Sequence, residues 1–132
     1  PIFNYKYSVS RPALMGVAAA DKPDPHRGHA LRYTNPLTGG WPMPLIAAWL
    51  THLPKGFETK ESRATDGQTL IVVEGEVEIE AGGKTFVAGE SDVIGIPSWH
   101  WRRMRASKDA IIFTFSDRSA QEKLAIYREE KR

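Results

Sequence analysis

Four histidines and no cysteine are the side chains of this 132-residue chain best suited to hold a metal or move a proton near neutrality. His26 and His29 lie three apart in a Pro- and Gly-rich stretch, where rigid convergence on a metal is not expected, so both read as surface or capping groups. His52 closes an apolar stretch and reads as a satisfied core or rim histidine. His100 sits in Trp99-His100-Trp101-Arg102-Arg103-Met104-Arg105, a mixture of aromatics and cations that single-strand nucleic-acid binders also use. Strand alternation splits that segment, with Trp99, Trp101, Arg103 and Arg105 on one face and His100, Arg102 and Met104 on the other. With 18 basic against 16 acidic residues the net charge is only +2, so no nucleic-acid partner is expected. Glu76, Glu78 and Glu80 also share a face, and nothing around them would raise a carboxylate pKa, so they read as solvated. Lack of cysteine removes disulfides, thiolate nucleophiles and Cys-based zinc sites, and suits a reducing cytoplasm.

The elements that must position these groups are mostly strands. A helix is expected from Ser10 as N-cap, with Pro12 in its first turn, to Ala20, where Asp21-Lys22-Pro23-Asp24-Pro25 stops it. Residues 1–40 then read as an arm that packs on a later core, and 41–132 as the core itself, one structural domain overall. Strand-like stretches follow at 45–53, 57–65, 69–73, 76–81, 84–87, 92–97, 100–105 and 110–115. Gly82-Gly83 is a two-residue hairpin signal, and Ser119-Ala120-Gln121-Glu122 resembles a capping box for a short closing helix. Many short strands with Gly and Pro turns indicate an all-β antiparallel barrel or sandwich with helical ends. No apolar run approaches a membrane span and no secretory leader is visible, so a cytoplasmic chain without a membrane partner is expected. The start at Pro1 suggests a processed product or a piece of something longer.

Gly56, Gly75, Gly89 and Pro97 resemble the two-part frame of the cupin superfamily. That frame carries His-x-His, Glu and a last His, which alternation aims into a β-barrel to hold a divalent metal. The resemblance implies a cupin-type antiparallel β-barrel, a double-stranded β-helix or jelly roll. It also places Ser62 and Ala64 at the His-x-His positions, Gln68 at the Glu position and Arg102 at the last His position. One of these has no donor atom, two are weak neutral donors and the fourth is a permanent cation.

Further stretches resemble gentisate 1,2-dioxygenases and their salicylate and hydroxynaphthoate relatives. They are Pro1-Ile2-Phe3-Asn4-Tyr5, Leu31-Arg32-Tyr33-Thr34-Asn35-Pro36, Val73-Glu74-Gly75, Ile96-Pro97-Ser98-Trp99, Phe115-Ser116-Asp117-Arg118 and Tyr127-Arg128-Glu129-Glu130. The resemblance implies a bicupin, usually tetrameric, oxidoreductase whose N-terminal cupin uses Fe(II) and O2 to open gentisate to maleylpyruvate. Its C-terminal cupin would be degenerate and would support assembly, so this chain by itself would be inactive, with no catalytic residue, no metal ligand and no cofactor. Its partners would be the N-terminal cupin and further copies of the same enzyme.

If Arg102 holds the lost ligand position, alternation puts Glu58, Lys60, Ser62, Gln68, His100 and Arg102 inside the barrel. Two readings follow. Arg102 and Lys60 could hold the carboxylate of a small organic acid, an aromatic one included, making a standalone non-catalytic binding cupin. The favoured reading has Arg102 paired with Glu58, closing the pocket with its own ions. Phe3, Tyr5, Trp41, Trp99 and Trp101 are the candidate interface, with the Trp99–Trp101 pair packing under the arm or on another subunit.

Overall fold

The computed structural model describes residues 4–132, so Phe3 lies outside the described residues. Alternating apolar residues fold into two five-stranded antiparallel sheets that face each other. The first sheet has the order β1 (His29–Arg32), β2 (Ala47–Leu53), β9 (Ala110–Ser116), β4 (Gln68–Glu74), β7 (Val93–Ile96). The second has the order β10 (Glu129–Lys131), β3 (Ser62–Ala64), β8 (Arg102–Ala106), β5 (Glu76–Ala81), β6 (Lys84–Gly89). One face of each sheet supplies the core: Leu53, Leu70, Val72, Ile96 and Ile112 from the first meet Val77, Ile79, Ala88 and Ala106 from the second. This is the expected cupin-type barrel.

The Gly82-Gly83 turn joins β5 and β6 as the sequence indicates, with Ala81 opposite Lys84 and both glycines at positive φ, 57° and 79°. Glu78 and Glu80 lie opposite Arg105 and Arg103 on the outer face, and Arg103 binds Glu80 at 2.9 Å. The solvated carboxylate face is therefore also a cross-strand ion-pair face.

Several boundaries depart from expectation. Helix α1 runs Tyr7–Ala20 with Lys6 as N-cap, so Ser10 is inside it, its Oγ donating to the Lys6 carbonyl at 3.2 Å, and Pro12 falls in the second turn. Contacts far along the chain hold that extra turn: Tyr7 donates to Glu74, and Arg11 pairs with Glu74 at 2.7 Å. Helix α2 (Arg118–Lys123) is real, but Ser119 is not its cap; its hydroxyl donates inward to the Met43 and Pro44 carbonyls. The 57–65 stretch forms a strand only at β3, preceded by an isolated Glu58–Arg105 bridge. His100 and Trp101 lie outside β8, which begins at Arg102. The arm is more than a lead-in, because β1 joins the first sheet, with His29 opposite His52 and Arg32 opposite Trp49. Helix α1 then covers part of that sheet's outer face through Leu14, Leu50 and Ile111, with Met15, Leu31 and Phe113 packed around them.

Candidate functional site in the barrel

Three of the six residues assigned to the barrel pocket meet there, and three do not. Arg102 lies opposite Ala81 on one side and Ser62 on the other, and shares its strand face with inward Met104. Gln68 enters from the opposite sheet, where it faces Ile96 and Ser116. Ser62, Gln68 and Arg102 thus line one cavity, with Trp49, Thr51 and Thr114 from β2 and β9. Ala64 is fully buried beside them on β3.

Glu58 and Lys60 point outward. From Glu58 to Ser62 the chain advances four residues while its partner advances only three, from Arg105 to Arg102. That one-residue slip reverses the facing of everything before it. Thr59 is buried instead, and its Oγ accepts from the Met104 N–H at 2.9 Å. Glu58 pairs with Arg103 at 3.4 Å, which overturns the expected Arg102–Glu58 pair. His100 is also outside. Trp99 adopts φ 61°, the alternation breaks there, and His100 lies over the β5–β6 turn, 2.6 Å from where a Cβ on Gly82 would stand.

The other aromatic assignments divide likewise. Trp99 and Trp101 stack on Arg63 at 4.3 and 4.5 Å, and Trp101 also on Arg132 at 3.8 Å. Both thus pack on β3 of their own chain, and Trp101 also on its C-terminal residue, not under the arm. Trp41 donates to Glu122 and carries Arg32 over its ring at 3.7 Å. Tyr5 sits edge-on to Tyr33 at 5.2 Å and remains partly exposed.

Arg102 shares the cavity with Arg27, Arg118, Glu129 and Lys131. Burial pushes its guanidinium below the usual arginine value; Asp66, Tyr127 and Glu129 pull it back up, and Arg27 pushes it further down. Its Nη1 is buried with no hydrogen-bond acceptor, and Arg102 forms no ion pair among the described residues. Asp66, fully buried, accepts from Gln68 Nε2 at 3.1 Å, and Tyr127 donates to Glu129 at 2.9 Å while its own pKa is pushed up, chiefly by burial. Glu129 escapes a sequence reading because β10, three charged residues at a sheet edge, carries no strand signal, and Asp66 and Tyr127 because they lie outside the strands, Asp66 between β3 and β4 and Tyr127 just before β10.

A hydroxyl, a carboxamide and a guanidinium do not fit a divalent metal: the first two are weak neutral ligands and the third has no lone pair to give. Among the described residues, no three His, Cys, Asp or Glu side chains are grouped as a metal ion would require.

The remaining histidines contact their own chain. His26 Nε2 lies 2.9 Å from the Arg132 carbonyl. His29 belongs to β1, not a loop; it is buried and stacked on His52 at 5.5 Å, and His52 bonds Asp109 at 2.9 Å. Burial, and then the neighbouring His52, hold the His29 pKa below 6.5, with Asp21 opposing. The unfolded chain therefore binds this proton more readily, so His29's contribution is complete above about pH 6.5 and is lost as pH falls through its lowered folded value. A His29→Phe variant, which keeps the stack without the proton, is expected to show a shallower loss of thermal midpoint than wild type between about pH 7 and 5. Parallel pH profiles for the two proteins would contradict this.

The cupin domain family model matches residues 49–115. Gentisate 1,2-dioxygenase 1 of Aquipseudomonas alcaligenes is 41% identical over 99% of this chain and 38% of its own length. The 1-hydroxy-2-naphthoate 1,2-dioxygenase of Nocardioides sp. (strain KP7) is 30% identical over 89% of this chain and 31% of its own. The crystal structure of a salicylate 1,2-dioxygenase from Pseudaminobacter salicylatoxidans superposes with a TM-score of 0.90 at 26% identity, over 96% of this chain and 38% of that one. The chain thus spans between 31% and 38% of the length of these relatives. No helix among the described residues is long and apolar enough to cross a membrane. The chain belongs to the cupin domain family, and gentisate, salicylate and hydroxynaphthoate 1,2-dioxygenases are the proteins it resembles along nearly its whole length.

Proposed function

We propose that this chain is the metal-free, C-terminal cupin half of a gentisate 1,2-dioxygenase-like enzyme, and that its role is structural. It builds the oligomer and buttresses an iron-bearing N-terminal cupin. The observation that carries the reading is Arg102 beside Ser62 and Gln68 inside the barrel, a permanent cation and two weak ligands where cupin chemistry needs imidazoles and a carboxylate. The share of the relatives' length that the chain spans supports it. So does the outer face of the first sheet, where Tyr5, Tyr33, Ile46, Val73, Phe113 and Phe115 line an apolar cleft of about 990 Å³. An apolar cleft of that size suits a protein contact better than open water.

Chain incubated with Fe(II) and desalted is expected to retain far less than one iron per chain and to consume no O2 with gentisate. Stoichiometric iron would overturn the metal-free reading. The assembly role is read by sedimentation: Phe115→Asp is expected to weaken self-association or association with an iron-bearing cupin half by roughly tenfold or more, with unchanged circular dichroism. Association equal to wild type would remove the cleft from the interface.

A further inference from the structure

The barrel interior differs from a metal site in more than missing ligands, because its charge is inverted. We propose that the cavity beside Arg102 is a binding site for a small monovalent anion, such as a halide or a planar oxyanion of formate or nitrate size. This goes beyond the structural role proposed above and does not depend on it.

Four observations support the assignment. The Arg102 Nη1 donor is buried without an acceptor, although a charged donor removed from water ordinarily finds one. No carboxylate pairs directly with Arg102: Glu58 is held by Arg103, Glu129 by Tyr127 and Lys131, and Asp66 accepts from Gln68 while acting on Arg102 only through its field. Ser62, Thr51 and Thr114 add hydroxyl groups to the lining, neutral donors suited to an anion. Arg27 also lines the cavity and forms no ion pair among the described residues, so it adds a second cation beside Arg102 to set against the Glu129 carboxylate in the lining and the nearby Asp66.

Size selects the ligand class. The cavity holds about 60 Å³, room for about two waters at roughly 30 Å³ each, or for one ion of about one to four heavy atoms. An aromatic acid of about ten heavy atoms needs several times that volume, so the barrel does not take a ring. Arg102 therefore presents its fork to something small, and a guanidinium binds planar oxyanions through two parallel hydrogen bonds.

Ligand-linked stability tests the assignment in solution. Wild-type chain is unfolded thermally in chloride, nitrate or formate, each exchanged at constant ionic strength against gluconate, which is too large to enter. A site with a dissociation constant on the order of 10 mM would raise the midpoint by roughly 5–10 °C between no small anion and about 0.5 M. Arg102→Met, which keeps the stem and removes the charge, is expected to lose that anion dependence. A response to halide as well as oxyanion assigns a general small-anion site, and a response to formate and nitrate alone assigns a planar oxyanion. No response in wild type, or the same response in Arg102→Met, overturns the proposal and leaves water as the partner of Nη1. If the variant does not fold, crystals of wild-type chain grown in bromide decide. An anomalous peak within hydrogen-bonding reach of Nη1 supports the site only together with the wild-type thermal response; its absence refutes a halide site, and an oxyanion site then stands only on a wild-type response to formate or nitrate.

Discussion

Gly75→Ala is expected to destabilise the chain by about 3–5 kcal/mol, enough to unfold a large share of the molecules of a marginally stable domain. Gly75 is the corner at which the chain leaves β4 in the first sheet and enters β5 in the second. Its φ is 82°, where a side chain costs about 1–2 kcal/mol on backbone grounds alone. The larger part is steric. An added Cβ would stand 2.1 Å from the Asp109 carbonyl oxygen and 2.9 Å from the Ala110 Cα, both backbone atoms of the neighbouring segment. That backbone cannot yield without disturbing β9, the central strand of the first sheet. Gly83→Ala is the matched control, since Gly83 has φ 79° with nothing within 4 Å of the added carbon. Urea unfolding of the two variants separates the terms: Gly83→Ala is expected to cost about 1 kcal/mol, and Gly75→Ala several times more. Equal costs would mean that the corner relaxes freely.

Leu14→Ala is expected to cost about 2–4 kcal/mol, and it asks whether arm and barrel are one unit. Leu14 is fully buried, the side chain by which α1 grips Leu50 and Ile111 on the outer face of the first sheet. Because β1 is hydrogen-bonded to β2 and α1 packs on that pair, we propose that residues 1–40 and 41–132 unfold together. Helical circular dichroism and tryptophan fluorescence should then give coincident transitions in Leu14→Ala, both shifted to lower urea. A helical transition that precedes the fluorescence one would mark the arm as a separately melting attachment. The Tyr7 and Arg11 contacts to Glu74 are exposed and could not hold it by themselves.

The ion pairs on the outer face of the second sheet rank below these core terms. Arg103 with Glu80 and Glu58 is half-exposed, and such pairs contribute little net stability. Alternation along β8 puts Arg103 on this outer face with Glu80 and turns Arg102 into the barrel cavity.

Much of the architecture follows from one-dimensional pattern. Val77 and Ile79 alternate with glutamates, so β5 could face inward in only one way, and two adjacent glycines able to take positive φ define the turn after it. The identities of Ser62, Ala64, Gln68 and Arg102 were likewise legible, and on the ligand positions that the cupin resemblance assigns to them they carry the metal-free role proposed above.

What alternation could not supply was parity across irregular points. A slip of one residue between Glu58 and Ser62 turned Glu58 and Lys60 outward, and the left-handed backbone at Trp99 put His100 on the hairpin turn. Neither irregularity has a sequence mark, because each is fixed by pairing with strands distant in the chain. The edge strands β1 and β10 were illegible for the same reason: His-Ala-Leu-Arg and Glu-Glu-Lys have no strand pattern of their own and extend only because β2 and β3 offer unpaired backbone. The residue types were thus determined locally, and the lack of an ion pair at Arg102 was decided by the fold, which carried Glu58 away to Arg103.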